Sequence, residues 1–291
     1  MKNAGTKGLV RRMTTVRETN VTVGGGRVLH AYDTAGAGLP VFWHHGTPNV
    51  GAPPEPLFAT AARHGLRWVS YDRPGYGGSA PLPGRDIGAA AADVAAIADA
   101  LGIGRFAVFG HSGGGSHALA CAALLGDRVR AVVSVSGLAP YTAGEFDWFA
   151  GMHPVGAAEL RAAHQGRAAL EACLQAGGFD PQMFTPEDHA ALEGDWAWLA
   201  GVAGQAIEQG PGGMIDDDLA YTGPWGFSVS AVTAPLLLLH GTADRVAPSS
   251  HAKWLARGIP HAELRLSPGD GHVSVLRAAH EAVAWVAERA A

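Results

Sequence analysis

Cysteine is almost missing from this chain of 291 residues: Cys121 and Cys173 stand alone, and neither has the C-x-x-C or Cys/His spacing that holds zinc. A disulfide scaffold does not fit, and a reducing, cytoplasmic setting is expected. Charge is scarce as well. Charged residues make up 16% against 47% hydrophobic, with a net charge of −5, the balance of a compact globular chain. The basic footprint of a nucleic-acid binder is absent, so no such partner is expected. Long apolar runs are also lacking. No stretch approaches the roughly 18 residues of a membrane span, the run PLLLLH is only strand-sized, and no membrane partner is expected. The N-terminus MKNAGTKGLVRRMTTVRETN carries basic residues but no apolar segment of signal-peptide length. Residues 1–13 are therefore expected to form a loose extension.

What is present is rhythm. TTVRETNVTV and RVLHAYDT, around the glycines at 24–26, alternate like two strands. Apolar runs then alternate with alanine-rich stretches of helical length. The runs are VFWHH, RWVSYD, FAVFG and RAVVSVSG, and after a gap PLLLLHG and AELRLS. Such a βαβα order predicts an α/β domain whose parallel sheet is covered on both faces. Between residues 138 and 228 the rhythm stops, leaving helix-like stretches and a concentration of tryptophan at Trp148, Trp196, Trp198 and Trp225. This segment is expected to be a helical cap inserted into a core of 14–137 and 229–291, lying over the C-terminal edge of the sheet, where open α/β sheets bind ligands.

Gly110-His111-Ser112-Gly113-Gly114 matches G-x-S-x-G between a predicted strand and a predicted helix. Ser112 on that tight turn is the candidate nucleophile. Gly110 and Gly114 leave room for the bend, and the Gly113 amide points from the helix start toward a developing oxyanion. Gly115 has no role in this scheme beyond letting substrate or cap come close. A serine needs a base. Of 14 histidines, His272 in SPGDGHVSV stands in the loop between the last strand and the last helix. The carboxylate that orients it is expected after PLLLLHG, where HGTADRVAP supplies Asp244. Asp270, two residues from His272, is the rival and is expected to shape the loop. A second oxyanion donor is expected from the loop after VFWHH, and the Thr47 backbone amide is the candidate.

HGTP, YDRPGYGGS, GHSGGG, HGTADRVAP and GDGH together resemble the α/β-hydrolase superfamily, from about residue 20 to the end, and the wording is similar to small capped hydrolases of actinobacteria. The resemblance implies a mostly parallel eight-stranded sheet, a Ser112-Asp244-His272 triad, a helical cap and no cofactor. It also implies that Asp72 and Arg73 form a structural turn. Proline iminopeptidases share that turn but typically read GGSWG at the elbow, from which Gly113-Gly114-Gly115 departs. Ser112 in place of an aspartate excludes the common dehalogenase and epoxide hydrolase chemistry.

Within the insertion, Trp148, Phe149 and Trp225 are candidate pocket walls, and core filling is the alternative. Trp196 and Trp198, two apart on a helix, should face different sides. Asp216-Asp217-Asp218 reads as a solvated turn or helix start rather than a metal cluster, because no His or Glu accompanies it. The expected function is hydrolysis of a carboxylic ester, or a related acyl bond, in a small and partly apolar molecule. One alternative is an aminopeptidase using an acidic cap residue, with Glu145, Asp147, Glu159 and Asp195 as candidates. The other is a receptor that keeps the pocket without turnover.

Overall fold

The computed structural model describes residues 14–141 and 146–290, so the expected extension over 1–13 lies outside the described residues. β1 (Arg17–Val23) and β2 (Arg27–Asp33) form an antiparallel hairpin across the glycine turn. β3 (Leu39–His44), β4 (Leu66–Tyr71), β5 (Phe106–His111), β6 (Val129–Val135), β7 (Leu236–Gly241) and β8 (Glu263–Ser267) run parallel. The sheet has eight strands in the order β1-β2-β4-β3-β5-β6-β7-β8, with β2 antiparallel to both neighbours. This is the mostly parallel α/β architecture that the sequence implied.

Every residue of β5 and β7 is buried, which is why these strands read as unbroken apolar runs. Successive side chains leave the sheet on opposite faces. Phe42, Phe106 and Val108 pack under α2 (Ala89–Ala100), α3 (Gly113–Leu125) and α9 (Ser250–Gly258). Trp43, Trp68 and Phe109 pack on the other face with α1 (Phe58–Arg63) and α10 (Ala279–Ala290).

Between β6 and β7, among the described residues, run five α-helices and no strand: α4 (Pro154–Gln165), α5 (Arg167–Ala176), α6 (Pro186–Glu193), α7 (Trp198–Glu208) and α8 (Gly212–Thr222). Two helix-like stretches of the sequence each break at a glycine. Gly166, with φ of 111°, separates α4 from α5, and Gly194 closes α6. Thr185 and Asp188 cap the start of α6 reciprocally. Trp196 then falls in the turn before α7 rather than inside a helix. Because helical spacing does not apply across that turn, Trp196 and Trp198 pack into the same cluster, contrary to expectation. Asp216, Asp217 and Asp218 are also corrected: they lie inside α8 and all three are buried, not solvated.

Candidate active site

β5 hands over to α3 through Ser112, which adopts φ 57° and ψ −131°, a left-handed conformation rare outside glycine. Its amide donates to Val135 O at 2.8 Å, fixing the bend to the neighbouring strand. A Cβ on Gly110 would lie 2.1 Å from Gly114 O, and one on Gly114 would lie 2.0 Å from His44 O. Side chains are thus barred by backbone on either side of the serine. Gly115 has a reason that the sequence did not reveal. A Cβ there would lie 2.3 Å from Ser134 Oγ, so the close approach is that of α3 to β6 and not of substrate or cap.

His272 follows β8 in the loop leading to α10, and its Nε2 lies 2.9 Å from Ser112 Oγ. Its Nδ1 lies 2.8 Å from Asp244 Oδ2 in the loop after β7. A carboxylate can only accept, so Nδ1 carries the proton and Nε2 is left to receive the serine O–H. Asp244 Oδ1 accepts the amides of Val246 and Ala247 at 2.8 and 2.9 Å, which fixes the carboxylate's orientation. Burial works to raise the pKa of Asp244, and the charges and hydrogen bonds of His272 and His240 outweigh it, so the group stays ionised. Burial correspondingly works to lower the His272 pKa, but the Asp244 charge and hydrogen bond raise it above 6.5. Asp270 accepts from Ser267 Oγ at 2.5 Å, and its carbonyl accepts the Ala243 amide. It ties the two loops together without contacting the imidazole through any of these bonds.

The loop after β3 lies against the serine: a Cβ on Gly46 would lie 3.4 Å from Ser112 Cβ. Thr47, next in the chain, donates its hydroxyl to Asp217 Oδ2 at 2.6 Å. Asp217 also takes Arg73 Nη2, Arg85 Nη2 and Tyr76 OH, at 2.6, 2.6 and 2.8 Å. Burial would raise the Asp217 pKa, yet the two guanidinium groups hold it well below the usual carboxylate range. Arg73 further donates to the carbonyls of His45 and Gly46, so α8 is pinned to the base of the Thr47 loop. Asp72 closes the adjoining turn by accepting the amides of Gly51 and Gly78. Asp216 pairs with Arg167 on α5, and among the described residues no group of three or more His, Cys, Asp or Glu is arranged to hold a metal ion.

A second carboxylate of the insertion went unnoticed in the sequence. Asp188 on α6 accepts the backbone amides of His272, Val273 and Ser274 at 3.1, 2.8 and 2.7 Å, and the Ser274 hydroxyl at 2.9 Å. Burial pushes its pKa up, and the hydrogen bonds of Ser274, Thr185 and Val273 pull it below the ordinary value. The His272 loop is therefore held from both sides, by Asp244 after β7 and by Asp188 on α6.

The three aromatic candidates pack into one cluster. Trp148 donates Nε1–H to Ala139 O at 2.9 Å and packs edge-on against His251. Trp225 donates to Tyr221 O at 3.2 Å and lies beside Phe227. Both indoles are buried in this cluster with their N–H groups engaged. Phe149 is half-buried beneath the Arg161 guanidinium, 4.3 Å from the ring centroid. Of the acidic candidates, Asp147 and Asp195 are exposed, and Glu145 lies outside the described residues. Glu159 is half-buried near Asp218, whose pKa burial and the neighbouring Glu159 charge push well above the ordinary carboxylate value.

A family profile described as alpha/beta hydrolase fold matches residues 40–279. A non-heme chloroperoxidase of Streptomyces lividans is 31% identical over 248 residues, which is 79% of this chain and 88% of that protein. A bifunctional esterase/perhydrolase of Acinetobacter calcoaceticus is 27% identical over 239 residues, 80% of this chain and 84% of its own. Among solved structures, the enol-lactonase from Burkholderia xenovorans aligns with a TM-score of 0.68 at 22% identity, over 93% of this chain and 98% of that one.

Proposed function

The chain belongs to the alpha/beta hydrolase fold family, and on that premise we propose that it is a serine hydrolase cleaving a carboxylic ester, or a related acyl bond, of a small, partly apolar molecule. The observation that carries the reading is the continuous path Ser112 Oγ, His272 Nε2, His272 Nδ1, Asp244 Oδ2, with steps of 2.9 and 2.8 Å around the ring, starting from a serine on a strained bend. Ser112 Oγ bonds to the carbonyl carbon as His272 Nε2 takes its proton. The electron pair displaced onto the carbonyl oxygen is held by the amides of Thr47 and Gly113. The intermediate collapses, the leaving alcohol takes the proton from His272, and an acyl-serine remains. Water attacks that ester as His272 takes its proton, and His272 passes the proton to Ser112 Oγ as the acid leaves, which restores the enzyme. Asp244 keeps its charge throughout and stabilises the imidazolium.

In this reading α4–α8 are a lid over the C-terminal sheet edge. Their contacts with the loops after β3 and β8 support it. The free thiols of Cys121 and Cys173 accord with a reducing cytoplasm, and among the described residues no helix is long and apolar enough to cross a membrane. A second reading, perhydrolysis, is favoured by the chloroperoxidase and perhydrolase relatives. Hydrogen peroxide would replace water at the acyl-serine and release a peracid and free Ser112.

The test is covalent labelling by a fluorophosphonate, followed by turnover of p-nitrophenyl acyl esters of rising chain length beside prolyl and alanyl anilides. Labelling that disappears in Ser112→Ala, with turnover of the esters, is expected. No labelling, or labelling unaffected by Ser112→Ala, overturns the Ser112 hydrolase reading, and no labelling without ester turnover points to a receptor. Turnover of the anilides alone would make the protein an aminopeptidase. Adding hydrogen peroxide to the ester assay and measuring peracid decides the second reading.

A further inference from the structure

Tyr221 stands on α8 four residues after Asp217, so one helical turn brings both side chains to the same face. Its hydroxyl lies 2.7 Å from Thr47 Oγ1, the atom that Asp217 also holds. A Cβ on Gly113 would lie 1.8 Å from the Tyr221 hydroxyl and 3.2 Å from Thr47 Oγ1. The phenol therefore fills the notch where the residue after the nucleophile would otherwise carry a side chain. That notch lies between the two residues whose amides form the proposed oxyanion hole.

The direction of each hydrogen bond follows from the chemistry. Asp217 can only accept, so the single hydroxyl proton of Thr47 is committed to it. The Tyr221 proton must then point at Thr47 Oγ1. Arg73 Nη2 donates to the same oxygen at 3.1 Å, so Thr47 keeps a donor if the phenol turns away. Burial and the Asp217 charge raise the Tyr221 pKa, which keeps the phenol protonated at working pH.

We propose that Tyr221 is a third oxyanion donor, its O–H turning from Thr47 to the substrate oxygen as negative charge collects there. This rests on Ser112 being the nucleophile. A bond from a neutral phenol to an anion is shorter and stronger than one to a neutral hydroxyl, so the interaction gains strength mainly in the transition state. The consequence is a loss in kcat rather than in KM when the hydroxyl is removed.

The experiment compares wild type with Tyr221→Phe on one p-nitrophenyl ester and with a trifluoromethyl ketone, whose hemiketal oxygen mimics the oxyanion. By analogy with other oxyanion donors, kcat should fall on the order of 100-fold, with KM little changed and ketone affinity weakened in parallel. Unchanged kcat, or a raised KM with ketone affinity intact, overturns the proposal and leaves Tyr221 a shaping residue. Should Tyr221→Phe fail to fold, 3-fluorotyrosine at position 221 keeps every contact and acidifies the phenol. The more acidic phenol donates more strongly, so affinity for the trifluoromethyl ketone should rise at unchanged KM, and unchanged ketone affinity overturns the proposal. If wild type itself is not labelled at Ser112 by a fluorophosphonate, the nucleophile assignment has failed first. Normal labelling with a fully active Tyr221→Phe removes the Tyr221 proposal alone.

Discussion

His272 can accept the serine proton only when neutral, and the Asp244 charge raises its pKa above 6.5 against the opposing effect of burial. The predicted kcat/KM therefore rises with pH through an inflection above the ordinary histidine value. Asp244→Asn removes the charge that favours the imidazolium, so the inflection should move down in pH. The same change offers Nδ1 an amide that can hold the wrong tautomer, and turnover should drop on the order of 10³- to 10⁴-fold. A pH series of ester hydrolysis for the two proteins checks both statements. Asp270→Asn should retain most of its turnover, because Asp270 binds Ser267 and the neighbouring backbone rather than the imidazole. A dead Asp270→Asn beside an active Asp244→Asn would reverse the two roles.

At the level of elements, α6 and α8 each send one aspartate down to a loop of the core. In Asp188→Asn, part of the acceptor set facing Thr185, His272, Val273 and Ser274 becomes an NH₂ group that meets donors head-on. The loop should shift, and a displacement of about 1 Å at His272 costs on the order of 100-fold in turnover. A circular dichroism spectrum like that of wild type would show that the effect is local. The ionised Asp188 has a lowered folded-state pKa, so its stabilisation is present above the unfolded value of 3.8 and is lost as pH falls through the folded value. Asp188→Asn should accordingly remove part of the difference in melting temperature between neutral and acidic solution. Asp217→Ala leaves Arg73 and Arg85 buried without their carboxylate, and breaking such a pair costs about 3–5 kcal/mol. Urea denaturation would measure it.

Over the whole molecule, these ties predict one cooperative unfolding transition rather than separate melting of insertion and core. Trp148, Trp196 and Trp225 report on the insertion and Trp43 and Trp68 on the sheet, so single-tryptophan variants should give coincident fluorescence midpoints. Separate midpoints would show two independent units. The sheet was legible because all eight strands leave apolar or alternating runs, and the Ser112, His272 and Asp244 loops follow strands whose ends the sequence marks with glycine, proline or aspartate. The insertion was not, since its decisive contacts carry no local pattern. Asp188 finds His272 across 84 residues, and Asp217 finds Arg73 across 144. A run of three aspartates looks solvated when the arginines that bury it are that far away. Trp196 is hard to place for the opposite reason: Gly194 ends a helix that the residue spacing alone continues.

The Asp188 cradle also limits how such a protein can change. An inserted segment is usually the part that can be exchanged to gain new substrates, by recombination or by an engineer, while the chemistry stays behind in the scaffold. Here the border does not follow the chain: the graft point would cut at residues 138 and 228, yet an anchor of the histidine loop would leave with the discarded piece. A donor segment without a carboxylate at that spot should yield a chimera that binds but turns over poorly. Restoring one acidic residue there should repair it.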